Sequence, residues 1–218
     1  MTDAVLVTGG FGLVGTETVK QLAAAGRRVV VADLGTPANR KKAKALPDGV
    51  ATRWADLTDA EEVDRLVSEV APSVIVHLAA VIPPPLYRNP GLARKVNVEA
   101  TKAMVRAAEA QQNPPRFVQA SSNAVYGSRN PHRVTDVVRA DTPPRPFELY
   151  SNTKFEAEEF VRTSSLEWVV LRLGGVLSPN FSALPLSGDG IFIESALPTD
   201  GRIHTVDVRD VGAAFAAA

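Results

Sequence analysis

The sequence predicts an α/β fold, a doubly wound parallel sheet covered by helices on both faces. Three observations carry this prediction. Short, wholly apolar runs alternate with longer segments whose apolar residues fall at helical spacing, the pattern of buried parallel strands joined by crossover helices. The first apolar run ends in a cluster of glycines. The composition is that of an ordinary globular chain: 218 residues, 45% hydrophobic, 22% charged, with 24 basic against 24 acidic residues. That length suggests one large domain, or one domain with part of another, and it is enough to bury a real core.

The elements follow in order. Residues 4–8 (AVLVT) read as the first strand and residues 13–25 as the first helix, closed by Gly26. Residues 28–32 form the second strand. Residues 56–70 form a helix with Thr58 or Asp59 at its N-cap. A strand at 73–79, a long helix at 92–112, a strand at 116–120, a helix at 147–163 and a strand at 167–173 complete the alternation. Residues 39–44 (NRKKAK) are a short basic run, read as a solvated surface. From about Ser178 to residue 202 the chain is rich in Gly, Pro and Ser and has no clear period. Residues 203–208 regain strand character, and the chain ends inside an alanine-rich helical stretch at 211–218. That ending reads as an interruption.

Composition also excludes functions. Zero net charge argues against a nucleic-acid partner, because no basic excess exists to track phosphates. The absence of cysteine excludes disulfide scaffolds, thiolate metal sites and cysteine nucleophiles. Three scattered histidines argue against a metal site. No apolar run reaches the roughly 18 residues of a membrane span, and the N-terminus is strand-like where a signal peptide would be basic and then apolar. A cytoplasmic protein with no membrane partner is the expectation.

The segment Thr8-Gly9-Gly10-Phe11-Gly12-Leu13-Val14-Gly15 joins the first strand to the first helix. Gly9 allows a tight turn, Gly12 lets backbone approach a pyrophosphate, and Gly15 lets helix pack on strand. Helix N-terminal amides then hold the anion. Three glycines at this spacing after the first strand point to the turn of a Rossmann-type dinucleotide-binding fold, against the alternative of a plain strand-to-helix turn. A carboxylate at the end of the second strand, Asp33, can accept both adenosine ribose hydroxyls and repel a 2′-phosphate, which favours NAD over NADP. The nearby Arg40, Lys41 and Lys42 leave NADP open, since a basic loop tolerates the phosphate.

Tyr150 and Lys154 lie four residues apart on one helix face. A free tyrosine has a pKa of about 10, too high for base work at neutral pH. A lysine ammonium one turn away is expected to lower it. Tyr150 can then take a proton from an alcohol, or give one to a ketone, while hydride moves at the neighbouring carbon. Ser122, at the carboxyl end of its strand, can hydrogen-bond the reacting oxygen; as a plain alternative it caps a turn.

With these residues in place, the chain resembles the extended short-chain dehydrogenase/reductases of the NAD-dependent epimerase/dehydratase family. The blocks TGGFGLVG at 8–15, Asp33, ADLTD at 55–59, VIVHLAA at 74–80, NVEAT at 97–101, SSNAVYG at 121–127, YSNTK at 150–154 and VDVRDV at 206–211 match in order. The resemblance implies that Gly9, Gly12, Leu13, Val14, Gly15, Asp33, Asp56, Leu57, Ala79, Ala80, Asn97, Tyr150 and Lys154 bind the cofactor. Within that set, Asp56 and Leu57 flank the adenine, and Asn97 holds active-site backbone. It further implies that Ser122, Tyr150 and Lys154 are catalytic. Val81, Ser122, Asn123, Gly174 and Gly175 are expected near substrate, the last two in a loop at 174–179. Residues 1–175 would form the NAD-binding domain, and 176–218 an incomplete small substrate-binding portion with a returning strand and helix. Homodimerisation through the helices at 92–112 and 147–163 is also implied.

The chain departs from the family pattern in places. Dehydratases of the group carry acidic residues after the catalytic hydroxyl, where this chain has Asn123 and Ala124, so dehydration is not expected. Gly175 stands where sugar-nucleotide enzymes tend to have asparagine. The stiff, apolar stretch Ile82-Pro83-Pro84-Pro85-Leu86-Tyr87 either lines a pocket for a less polar substrate or is a rigid surface loop. Family members also run roughly a hundred residues longer than one domain of this size. The expected activity is hydride transfer between NAD and a secondary alcohol or ketone of a small, sugar-like molecule, by a dehydrogenase or an epimerase. The alternative is a non-catalytic NAD-binding or redox-sensing module.

Overall fold

β1 (Ala4–Thr8) occupies an inner position of a six-stranded parallel sheet. The computed structural model describes residues 4–129, 136–179 and 204–218. In chain order the first half contains α1 (Leu13–Ala24), β2 (Arg28–Asp33), α2 (Pro37–Ala43), β3 (Ala51–Trp54), α3 (Ala60–Val70) and β4 (Val74–His77). Then come α4 (Pro85–Arg88), α5 (Pro90–Arg94), a π-helical turn (Lys95–Glu99), α6 (Ala100–Glu109), β5 (Arg116–Ser122) and a 3₁₀ turn (Asn123–Tyr126). The chain continues with α7 (Leu149–Arg162), β6 (Trp168–Leu173), β7 (Gly175–Leu177), β8 (Thr205–Asp207) and α8 (Val208–Ala217). The strand order is β3-β2-β1-β4-β5-β6, so the direction of winding reverses between β1 and β4. A crevice at that reversal is where open α/β sheets place ligands.

Alternation of side chains explains why the strands read as continuous apolar runs. Leu6, Val30, Ile75 and Phe117 face one side, against Val63 and Val67 of α3 and Met104 and Val105 of α6. Val5, Val7, Val29, Val31, Val76 and Val118 face the other, against Val19 and Leu22 of α1 and Val211 and Phe215 of α8. Both faces are thus buried.

The structure differs from the sequence reading in particular places. β3 is an edge strand of alternating exposed and half-buried residues, so no apolar run marked it. The helix expected from residue 56 begins at Ala60. Asp59 caps it, while Asp56 turns the preceding chain by accepting from Thr58 N and Oγ1 at 2.9 and 2.8 Å. The long helix expected at 92–112 is three pieces, with the π turn in the middle. The loop expected at 174–179 is largely a strand: β7 pairs with β8 in a second, two-stranded parallel sheet. Most of the Gly/Pro/Ser-rich segment, residues 180–202, lies outside the described residues.

Candidate active site

The floor of the crevice is backbone. Gly9, at φ +66°, donates to Ala32 O at 3.0 Å and its carbonyl accepts from Gly12 N at 3.0 Å. A Cβ on Gly9 would lie 2.8 Å from Ala79 Cα, and one on Gly15 only 2.2 Å from Gly9 O. The glycines therefore let the turn, the next strand's end and α1 approach closely. Gly12 is the N-cap of α1 and no side chain caps that helix, which leaves its first amides for an anion.

Above this floor lies a cavity of about 480 Å³, lined by Gly9, Gly12, Asp33, Asp56, Leu57, Ala79, Ala80 and Val81 among others. All eight are sequence-predicted site residues. Leu13 and Val14 are not on that wall: Leu13 is 39% exposed on the first turn of α1, and Val14 packs on the core. Lys42, named in the sequence as one of the basic residues near Asp33, also lines the cavity, as do Phe11 and Asn39, which the sequence reading did not assign. They are ordered by local bonds. Asp33 Oδ1 accepts from Leu34 N at 2.8 Å and Asn39 Nδ2 at 3.2 Å, and its Oδ2 from Phe11 N at 3.3 Å. Lys42 Nζ donates to Phe11 O at 2.8 Å. Phe11 stacks on Trp54, and Arg40 lies over the Trp54 ring. The basic run is thus only partly the solvated surface expected: Asn39 and Lys42 turn inward.

Asn97 sits behind the wall. Its Oδ1 accepts from Val81 N at 2.7 Å, and its Nδ2 donates to Val81 O at 2.9 Å and to Thr153 Oγ1 at 3.2 Å. One amide therefore ties the cavity wall to α7. Behind it, Thr101 Oγ1 donates to Asn97 O at 3.0 Å, which leaves the same oxygen to accept from His77 Nε2 at 3.1 Å. His77 Nδ1 then accepts from Thr8 Oγ1 at 2.7 Å. Burial, then the nearby Lys154 charge, push His77 down to about 3, so it stays neutral and holds this tautomer.

The catalytic candidates gather at β5 and α7. Ser122 is buried, accepts from Ala124 N at 3.2 Å and lies near enough to Tyr150 to favour the ionised form of its phenol. It is both the turn cap and the tyrosine's neighbour. Burial raises the Tyr150 phenol above its ordinary value; Ser122 opposes this and the Glu148 charge adds to it. Lys154 is not among the groups that set it. The lysine is fully buried, its Nζ donates to Ala120 O at 2.8 Å, and desolvation lowers it to about 8. The expectation that Lys154 acidifies Tyr150 is therefore corrected: in this arrangement the phenol holds its proton more firmly than free tyrosine.

Asn123 is exposed at the start of the 3₁₀ turn. Gly174 and Gly175 serve the β7–β8 pairing: a Cβ on Gly174 would lie 2.7 Å from His204 O, and Gly175 N donates to the same oxygen at 2.8 Å. None of the three lines the cavity. Among the described residues no cluster of His, Asp and Glu is arranged to hold a metal, and no helix is long and apolar enough to cross a membrane.

A Rossmann-type sheet with a glycine turn at its crevice, and a Tyr-x-x-x-Lys helix tied to the crevice wall through Asn97, defines a class, although Ser122, Tyr150 and Lys154 do not themselves line the cavity; comparison with known proteins agrees. The NAD dependent epimerase/dehydratase family matches residues 5–196, and the chain belongs to that family. Among its relatives are UDP-glucose 4-epimerase 4 of Oryza sativa subsp. japonica, 33% identical over 180 residues (78% of this chain, 47% of the relative), and methionine adenosyltransferase 2 subunit beta of Bos taurus, 30% identical over 171 residues (78% and 46%). The chain spans about half the length of the curated relatives it matches. Among solved structures, the UDP-glucose 4-epimerase of Thermus thermophilus in complex with NAD superposes with a TM-score of 0.80 at 29% identity, covering 98% of this chain and 73% of that one.

Proposed function

We propose that the protein is an NAD-dependent enzyme acting at a secondary alcohol or ketone carbon of a sugar nucleotide or similar molecule, as an epimerase or dehydrogenase. One observation carries the reading: Asn97 joins the wall of the cavity to the helix that carries Tyr150, so a cofactor site and an acid/base residue share one support. The chain's similarity to a UDP-glucose 4-epimerase solved with NAD supports the substrate class.

The residues present fit a dinucleotide. Gly9 and Gly12 offer a floor that a Cβ would obstruct, and the α1 amides suit a pyrophosphate. Asp33 suits the adenosine ribose and favours NAD, while Lys42 on the same wall keeps NADP from being excluded by charge. Asp56, Leu57, Ala79 and Ala80 complete the enclosure, and Lys154 suits the nicotinamide ribose. The bound dinucleotide supplies or accepts hydride. The protein's part is proton movement: the Tyr150 phenol protonates a carbonyl oxygen, or its phenolate takes the proton of an alcohol and becomes the phenol, and Ser122 orients that oxygen. A phenol raised by burial favours the donating direction.

A homodimer formed through α6 and α7, a cytoplasmic setting, and a division into a dinucleotide domain at 1–175 and part of a substrate-binding region at 176–218 belong to the same proposal. The outer faces of α5 to α7 carry the pairs Arg94–Glu156 and Lys102–Glu156. The relative described as a subunit of a transferase supports a second reading, NAD binding without turnover. Replacing Tyr150 with Phe separates the two. In a panel of UDP-sugars, uronates and simple alcohols, Tyr150→Phe is expected to lower turnover by about 10²–10⁴-fold while NAD affinity, followed by calorimetry, stays within about threefold. Turnover unchanged in Tyr150→Phe sinks the acid/base role, and a parent that binds NAD but turns over nothing favours the second reading.

A further inference from the structure

Between the proline-rich loop and the head of α7 lies a contact that hydride transfer does not itself require. Tyr87, on α4, donates its hydroxyl to Glu148 Oε2 at 2.8 Å across 61 residues of sequence. The same oxygen accepts from Tyr150 N at 2.7 Å, and Glu148 Oε1 accepts from Ser151 N. Glu148 is the N-cap of α7, and Ser151 answers it by accepting from Glu148 N, so the pair forms a capping box. Burial pushes the Glu148 carboxyl up, but these donors outweigh it and hold it below its ordinary value. It is an anion at neutral pH. Burial, followed by Glu148 itself, pushes the Tyr87 phenol up to about 12, so Tyr87 remains a donor.

The other end of the same loop is held by Asn97, which grips Val81 and reaches Thr153 on α7. The loop is therefore tied to α7 at Glu148 and at Thr153, and the two ties bracket Tyr150. The charged neighbours can be placed one by one. From β5, Ser122 and Ala120 O face the site, the latter taking Lys154 Nζ. Farther along α7, Arg94 and Lys102 from α5 and α6 close on Glu156, with Glu99 of the π turn beside them. Arg172 from β6 and Arg162 close on Glu158. Tyr126 of the 3₁₀ turn donates to Arg139 O and accepts from Arg172. Among the described residues, Glu148 is the charged group that acts on the Tyr150 hydroxyl.

We propose that Tyr87 and Glu148 form a clasp that fastens the proline-rich loop to the head of α7 and fixes a negative charge beside Tyr150, making Glu148 a positioning residue for the acid/base. The clasp gives the loop a task beyond lining a pocket. It also couples the loop to the proton on Tyr150, because the carboxylate that anchors one disfavours loss of the other. This rests on the reading of Tyr150 as the acid/base, but it is tested on the phenols themselves.

The chain holds three tyrosines, Tyr87, Tyr126 and Tyr150, so a sample labelled with ¹³C at the tyrosine ζ carbon gives one resonance per phenol, each followed against pH. In Glu148→Gln, which keeps a capping oxygen and removes the charge, the Tyr150 midpoint is expected at lower pH than in the parent. Tyr87 is expected to fall too, from about 12 in the parent. In Tyr87→Phe, which keeps the charge and cuts the tether, the Tyr150 midpoint is expected not to fall, while amides of residues 82–88 exchange at least tenfold faster. Glu148→Asp, which restores the charge, returns Tyr150 toward the parent value. A Tyr150 midpoint equal in parent and Glu148→Gln overturns the proposal. So does a fall in Tyr87→Phe as large as in Glu148→Gln, or loop exchange unaltered by Tyr87→Phe. None of these readings needs turnover, so an inactive protein refutes the acid/base role and leaves the clasp decided. In an active protein, Glu148→Gln also shifts the pH profile of kcat to lower pH.

Discussion

Around the glycine turn the protein works with backbone; around Tyr150 it works with side chains. Gly9, Gly12 and Gly15 act by lacking a Cβ, and the partners they approach are main-chain atoms of Ala79, Gly9 and Gly10. At the other end, Asn97, Thr153, Glu148, Tyr87 and Lys154 hold α7 against the loop and β5 by hydrogen bonds between residues distant in sequence. The first construction tolerates no added atom, and the second no lost polar partner. Their failures should therefore look different.

The largest effect is expected on the side-chain half. Glu158 is fully buried on α7 and accepts from Ser121 at 2.9 Å, from Arg162 and Arg172 Nε at 3.0 Å each, and from Arg172 Nη2. Glu158→Ala leaves the Arg172 charge without its carboxylate and should cost about 3–5 kcal/mol in urea unfolding. The pH dependence has a definite sign. Burial pushes the Glu158 carboxyl up, but Arg172, Ser121 and Arg162 outweigh it, so its folded value lies below the ordinary 4.5. Its stabilisation is present above pH 4.5 and is lost as pH falls through the folded value. Glu158→Gln should flatten that acid limb; an acid limb identical to the parent's would show that the pair is not what acid breaks.

The backbone half fails by crowding. Gly15→Ala puts a Cβ where Gly9 O stands, and neither α1 nor the turn can yield cheaply. About 1–3 kcal/mol of stability should be lost, with NAD affinity falling further than stability does, because the turn itself must move. Calorimetric affinity equal to the parent's would mean that the cofactor does not lie on this floor.

The same contrast explains what could be read in the sequence. A glycine that must be glycine announces itself in the chain, and so does a strand buried on both faces. The glycine turn, Asp33 and the inner strands were accordingly legible from residue type and order, and Asp56, Leu57, Ala79 and Ala80 came through the family resemblance. β3 was not, because this edge strand leaves one side exposed and the other half-buried and so carries no apolar run. The Tyr87–Glu148 tether was not, because it depends on which residue lies 61 positions away. The expected acidifying effect of Lys154 on Tyr150 failed for a related reason. Helical spacing places two side chains on one face, but it says nothing about Ala120 O, which takes the ammonium instead.

Asp33 stands where the two constructions meet, and it gives the smallest and most discriminating test. Its carboxylate binds the turn through Phe11 N, as Lys42 does through Phe11 O, and it also holds Leu34 N and Asn39. Asp33→Asn keeps an oxygen for Leu34 N and gives up only the long, 3.3 Å bond from Phe11 N, so stability should change by less than about 1 kcal/mol. What it removes is charge. If Asp33 selects NAD by repelling a 2′-phosphate, with Lys42 already on the wall to receive one, the preference for NAD over NADP should narrow by about tenfold, or roughly 1.4 kcal/mol. Paired titrations with the two dinucleotides measure this directly. A preference that survives unchanged would make Asp33 a brace of the glycine turn, and selectivity would then have to come from the shape of the backbone.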